Sequence, residues 1–380
     1  MSYSDIVEHR NMVFDGVRNS AYTRALEKVI TSTTSVMDLG AGLGVHGMIA
    51  AKLGAAKVYL VEPTIAIEVA KKVAEDNQLK NIVGIQSTAE QLNLDAKVDV
   101  IVSVFTGNFL LDEDLLPSLF YARDKFLAKG GQLVPDRGRM KIVPVNATDY
   151  YRSQVDCWAH YADLGDEHGL PKLNYTRVRS YAANYPLFDS AQSMNCQPLG
   201  QPTSLMELDF TTADKAQCNS EVEITVDSDG LCHGWMGWFE MRLVDEWLST
   251  DGIDSKTHWS QVFFPLNEPI EVSKGDRICL NLKRPEGGEW SWTTLYKGDS
   301  QRQSSFLSQP VSPGDLLRMS DGFKPKMNAR AGAASWLLQR IDGNSSVSEL
   351  AKLMREAHPE LFASQDDASR FVREVTQGLS

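Results

Sequence analysis

Between Ser35 and about Pro135 short apolar runs alternate with helical stretches: SVMDLG, HGMIAAKLGA, KVYLVE, AIEVAKKVAEDNQ, NIVGIQ, VDVIVS and LLPSLFYARDKFLAKGG. Runs of Val, Ile and Leu bounded by Gly or Asp, with helices between them, specify parallel strands in a doubly wound sheet. A parallel pair needs a crossover helix, and its strands are covered on both faces. Residues 1–136, with their N-terminal helices, are therefore read as an α/β domain. After Asp136 the texture changes to GRMKIVPV, SLMELDF, EVEITV, GWFEMRL, VFFPL and DRICLNL, alternating segments that specify an antiparallel β domain over residues 137–305. Within it, roughly residues 147–195 are rich in aromatics, Asn and Pro without a two-residue period, and read as an inserted excursion. From about residue 310, two short strand candidates in VSPGDLLRMSDGFKPKMN precede three helices, which suggests a small α+β module over 310–380.

Composition removes several function classes. With 38 Lys and Arg against 50 Asp and Glu the net charge is −12, whereas a generic phosphate-backbone binder needs a basic surplus. No nucleic-acid partner is expected. The five cysteines are odd in number and widely spaced, so they fit neither a CxxC metal pattern nor a disulfide framework, and a reducing cytoplasm suits them best. The segment MSYSDIVEHRNM lacks an apolar signal core, and no apolar run reaches the roughly 18 residues of a membrane span. Neither secretion nor membrane association is expected.

The first strand ends in Asp38-Leu39-Gly40-Ala41-Gly42-Leu43-Gly44 and the second in Val61-Glu62. Glycines there let the chain turn tightly and let a ligand approach the next helix, and an acid closing the second strand can hold two ribose hydroxyls. A nucleoside site is implied. Gly42-Leu-Gly44-Val-His-Gly47 also satisfies the dinucleotide pattern GxGxxG, so these residues alone leave the nucleotide open.

More distributed motifs narrow it. His9-Arg-Asn-Met12-Val-Phe-Asp15-Gly-Val-Arg18-Asn19, followed by Tyr22, resembles the N-terminal segment of protein arginine methyltransferases. VMDLGAGLG is similar to their first AdoMet motif, and Val98 through Glu113 to their double-glutamate loop. Lys256-Thr-His258-Trp259-Ser-Gln261-Val-Phe263 resembles their THW loop. The resemblance spans roughly residues 5–290. It implies a Rossmann-like AdoMet-binding domain followed by an antiparallel β-barrel domain, with a dimerisation arm near residues 150–195, hence a homodimer. S-adenosyl-L-methionine is the implied cofactor, and no metal is required. The implied cofactor residues are His9, Met12, Arg18, Asp38, Gly40, Gly42, Gly44, Glu62, Ala89 and Glu90. Arg18 would pair with the methionine carboxylate, Glu62 with the ribose and Glu90 with the adenine amine. Glu113, His258 and Asp15 would be catalytic; Val104, Phe105 and Trp259 would contact the acceptor.

The chain departs from that family at Val104, where the first of two guanidinium-binding glutamates is expected; the second is kept as Glu113. A buried arginine beside Val104 would lose one charged partner, at a cost of several kcal/mol. Ordinary arginine methylation is therefore not expected. The acceptor is expected to be a peptide, in keeping with the C-terminal resemblance below, or alternatively a free amino acid or guanidino small molecule. A further alternative is a non-catalytic binding protein. Glu113 also admits a capping reading, because Asp112-Glu113-Asp114 stands where a helix begins. Finally, the stretch from Met327 to Leu350 resembles the winged-helix-like peptide-chaperone domain of PQQ biosynthesis, also a recognition element in enzymes that modify ribosomal peptides. That resemblance implies leader-peptide capture by strand addition; a helical cap, a dimer contact or a nucleic-acid-binding winged helix remain alternatives.

Overall fold

The structure is a computed structural model that describes residues 6–253 and 256–377. The first five residues of the expected first domain and the last three of the C-terminal module lie outside the described residues. The N-terminal segment folds as a 3-10 turn (Ile6–His9), α1 (Arg10–Val13) and α2 (Gly16–Val29). There follow β1 (Ser35–Leu39), α3 (Val45–Lys52), β2 (Lys57–Glu62), α4 (Ala66–Asp76), β3 (Ile82–Gln86), β4 (Val98–Ser103), α5 (Leu116–Phe126) and β5 (Leu127–Val134). The strands form one parallel sheet in the order β3-β2-β1-β4-β5. The order in which strands are added reverses between β1 and β4, and the crevice outside the carboxyl ends at such a switch point is where open α/β sheets bind ligands. Leu39 stands opposite both Val61 and Ser103, so the three central strands end level there. The apolar runs become strands because they are buried on both faces: Val36, Val58, Leu60, Ile101 and Val102 are fully enclosed.

One sequence expectation fails in this sheet. The run LLPSLFYARDKFLAKGG is not helical throughout, for α5 stops at Phe126 and Leu127 turns to extended backbone. Pairing of Leu127 with Val98 draws the chain into the sheet, at an irregularity that absorbs the tight connection.

The β region comprises β6 (Arg137–Asn146), α6 (Thr148–Gln154), α7 (Tyr161–His168), α8 (Thr176–Ala182), β7 (Leu187–Asp189), α9 (Ala191–Met194), β8 (Gln197–Pro198), β9 (Thr203–Asp209), β10 (Cys218–Thr225), β11 (Gly230–Leu243), β12 (Glu246–Ser249), β13 (Gln261–Val272), β14 (Arg277–Arg284), β15 (Ser291–Tyr296) and β16 (Asp299–Ser304). Its strands make two antiparallel sheets: β10-β14-β15-β16, and β7-β13-β11-β6-β8 with β12 on β11 and β9 on β6. The sheets share a core, tied by two indoles. Trp235 Nε1 donates to Thr294 Oγ1 at 2.8 Å, and Trp292 Nε1 to the Pro265 carbonyl at 2.8 Å. A buried indole N–H needs such a partner. This is the barrel-like arrangement expected. The excursion is largely helical, and Trp158, Tyr161 and Tyr175 cluster within it at ring separations of 6.5 and 4.9 Å.

The chain divides into two compact units, Met1–Pro310 and Val311–Ser380. The second consists of α10 (Pro313–Arg318), α11 (Ala329–Leu338), α12 (Val347–Ala357) and α13 (Gln365–Thr376) around Leu337, Leu350, Met354 and Phe371. The three expected helices are present, but among the described residues of this unit no strand forms, so the α+β winged-helix pattern is not what the structure shows. The reason is local. Ser312 and Asp315 make a reciprocal capping box with Pro313 in the first turn, which starts a helix where a strand was expected. Among the described residues no helix is long and apolar enough to cross a membrane.

Candidate active site

At the carboxyl end of the parallel sheet, three backbone turns meet two buried carboxylates. Glu62, the last residue of β2, is 5% exposed; its Oε2 accepts from Gly42 N at 2.9 Å and its Oε1 from Thr64 N at 2.9 Å. Asp38 in β1 is 3% exposed and accepts from Gly47 N at 2.7 Å. Burial, with the charge of Glu62, pushes the Asp38 carboxyl up to about 7 against the Gly47 bond and the Arg18 charge. The glycines between them are sterically required. Gly40 has φ +69°, and a Cβ there would lie 2.2 Å from the Phe105 ring; at Gly42, with φ +54°, it would lie 2.9 Å from the His9 ring.

α2 carries the second group of residues. Asp15 caps it, Oδ1 accepting from Arg18 N at 2.8 Å. Asp15 Oδ2 accepts from His258 N at 2.8 Å and lies 2.7 Å from His258 Nδ1. Burial raises the Asp15 pKa, but the hydrogen bonds from His258 and Arg18 outweigh it and the net direction is down. Arg18 is buried, its Nη2 donating to the Met12 carbonyl at 2.5 Å and its Nε to Asn19 Oδ1 at 3.1 Å. These bonds fold α1 back over the cavity.

The third element is the loop from Val104 to Leu115. Tyr22 OH donates to the Ser103 carbonyl at 2.9 Å, which fixes the loop's start against α2. Asn108 Oδ1 accepts from Ser260 N at 3.0 Å and joins it to the loop bearing His258 and Trp259. The acid triplet divides its duties. Asp114 holds Arg284 through two bonds of 2.7 and 2.8 Å, and Asp112 Oδ1 accepts from Trp290 Nε1 at 3.3 Å, while Glu113 lines the cavity. None of the three caps α5, whose N-cap is Leu115 without a side-chain bond, so the capping reading of Glu113 fails. Leu110 and Asp114 both have left-handed backbone, at φ 55° and 53°, a conformation held here by the surrounding ties.

A cavity of about 340 Å³ results. It brings together His9, Met12, Arg18, Asp38, Gly40, Gly42, Glu62, Val104, Phe105, Glu113, His258 and Trp259. Four expected residues are not on its lining. Asp15 stands behind His258; Gly44 faces Leu60; Ala89 is buried in the core; Glu90 is exposed and accepts from Ser118 Oγ at 2.6 Å. Sequence reasoning did not single out His46, Thr64 or Asn108, which also line it. A buried glycine cradle flanked by two carboxylates and a guanidinium matches the polar ends of AdoMet, a diol at one side and an amino acid at the other.

Comparison with known proteins identifies the class. Residues 136–291 match a family described as the arginine methyltransferase oligomerization subdomain, and residues 21–133 one described as ribosomal protein L11 methyltransferase (PrmA). Protein arginine N-methyltransferase 2 of Xenopus tropicalis is 30% identical over 305 residues, 76% of this chain and 68% of that protein. Protein arginine N-methyltransferase 6 of Danio rerio is 31% identical over 288 residues, 73% and 81% respectively. Among solved structures, the Trypanosoma brucei PRMT1 enzyme-prozyme heterotetrameric complex with AdoHcy superposes with TM-score 0.71 at 23% identity, covering 80% of this chain and 99% of that one. Arabidopsis thaliana protein arginine methyltransferase 10 gives 0.68 at 25% identity with the same coverage. Fold, cavity and relatives define an AdoMet-dependent methyltransferase. The barrel-side match and the full-length relatives go further: the chain belongs to the protein arginine methyltransferase family.

Proposed function

We propose that the enzyme methylates a peptide or protein acceptor bound in the cavity beside Glu113, and that the acceptor group carries less positive charge on the Val104 side than an arginine held by two carboxylates. The observation that carries this reading is the pairing of an apolar wall, Val104 and Phe105, with one carboxylate, Glu113, on one cavity lining. Arg18 and Asp38 hold the amino-acid end of the cofactor and Glu62 its ribose, with His9, Met12 and the glycines Gly40, Gly42 and Gly44 shaping the cradle. Ala89 and Glu90 are assigned to the adenine. The cofactor supplies an electrophilic sulfonium methyl. The chain's part is to align the acceptor's lone pair and take its proton. Glu113 is placed to receive that proton, and Asp15 holds His258 so that the 257–260 loop, with Trp259, closes over the acceptor.

Two further assignments complete the proposal. The helical excursion near residues 150–195 is a dimerisation arm, supported by the exposed faces of Trp158 and Tyr175 and by the oligomerisation description of the matched family. The unit from Val311 recognises a leader segment of the acceptor, supported by its separate core. The test is kinetic. Full-length enzyme and a chain ending at Pro310 are compared on a candidate peptide with and without its leader. A KM that rises on truncation for the leader-bearing peptide but not for the leaderless one supports the assignment, and equal KM values in all four combinations refute it. Efficient methylation of arginine peptides by the unaltered enzyme would refute the inference from Val104.

A further inference from the structure

His46 is the second residue of α3 and 4% exposed, and among the described residues its Nε2 has no hydrogen-bond partner. A buried polar nitrogen left unpaired is costly, so native proteins retain few without a reason. Its position supplies one. The ring stacks on Tyr22 with centroids 4.2 Å apart and planes 29° apart. Tyr22 lies one helical turn after Arg18 on the same face of α2. The residue following His46, Gly47, donates its N–H to Asp38. His46 thus stacks on the helix that carries Arg18, precedes the glycine that bonds Asp38, and lines the same cavity as both. Burial, and next the charge of Arg18, holds the His46 pKa well below its usual value, so the ring is neutral, with one nitrogen to donate and one to accept.

We propose that His46 is a third binding residue for the amino-acid end of AdoMet, its imidazole hydrogen-bonding the ligand's carboxylate or ammonium beside Arg18 and Asp38. This rests on the reading of the cavity as the cofactor site. Loss of the bond to a charged group should weaken binding by about tenfold or more.

The test is calorimetric, with two ligands and three variants. S-adenosylhomocysteine has the amino-acid end; 5′-methylthioadenosine lacks it and keeps the ribose and adenine. His46→Leu, which retains an apolar contact with Tyr22, should lose about tenfold for S-adenosylhomocysteine and leave methylthioadenosine unchanged. His46→Gln, whose amide can stand in for a polar imidazole nitrogen, should recover part of the loss. Glu62→Ala should weaken both ligands. Equal weakening of both ligands by His46→Leu, or no weakening, would overturn the role of His46. An unchanged affinity for both ligands in Glu62→Ala would instead overturn the placing of the cofactor's ribose at Glu62, and with it the reading of this cavity. Should His46→Leu fail to fold, His46→Gln decides alone: an S-adenosylhomocysteine loss larger than that for methylthioadenosine supports the proposal, and parallel losses refute it.

Discussion

Replacement of Glu62 by alanine acts on the free protein and the complex by separable amounts. In the free protein both carboxylate oxygens are used, one by Gly42 N–H and one by Thr64 N–H, each at 2.9 Å. Alanine removes two charge-assisted acceptors. Water from the cavity can replace much of what is lost, so the net destabilisation should be about 2 kcal/mol rather than the sum of two full bonds. For a unit that spans Met1–Pro310 that is a fall of roughly 3 °C in Tm. In the complex, two ribose hydroxyls lose an ionised acceptor at about 1.5 to 3 kcal/mol each, so S-adenosylhomocysteine should bind at least tenfold more weakly. Calorimetry at a temperature well below the lowered Tm reads the second quantity without interference from the first. A lowered Tm with unchanged affinity would refute the argument, because Glu62 would then only brace the Gly42 turn. Binding of a nicotinamide dinucleotide in place of S-adenosylhomocysteine would refute the cofactor assignment altogether.

Asp38 gives a pH test: its folded pKa lies above the unfolded value of 3.8, at about 7, so its contribution to stability is present at low pH and is lost as pH rises to about 7. Asp38→Asn should therefore raise Tm at pH 8 more than at pH 5 while weakening S-adenosylhomocysteine; a Tm difference independent of pH between 4 and 8 would count against it. Arg284→Ala breaks the paired bonds to Asp114 and the stacking over Trp290, and should cost about 2 kcal/mol by thermal melting. Cofactor affinity should survive while kcat/KM falls, because the Val104–Leu115 loop and not the glycine cradle is released. Light scattering at micromolar concentration should report a dimer, and replacing Trp158 and Tyr175 with serine should shift it toward monomer.

The parallel sheet was readable because its strands are apolar on both faces, so SVMDL, KVYLVE and VDVIVS carry their burial in their composition. The strands SWTTLY and DSQRQS were not, since they are polar and owe their state to β14, against which β15 registers from Ile278 to Lys283. The end of α5 was missed for the same reason, as a pairing with Val98 overrode helix propensity. Site residues divide likewise. Asp38 and Glu62 stand at strand ends, positions that sequence pattern locates. Asn108 acts through Ser260, 152 residues away, and His46 through Tyr22 on another helix, partnerships that local spacing does not reveal.

Glu113 reaches the cavity from between two neighbours that are fastened elsewhere, Asp112 to Trp290 and Asp114 to Arg284. The carboxylate proposed to meet the acceptor is thus aimed by residues of the β region, far from the nucleotide cradle in the chain. Evolution can consequently retarget this enzyme without touching its cofactor chemistry. A substitution at Arg284 or Trp290, both buried within the β region, would re-aim that carboxylate and alter which acceptor is accepted, so changes in the packing of a distant β region become a source of new substrates.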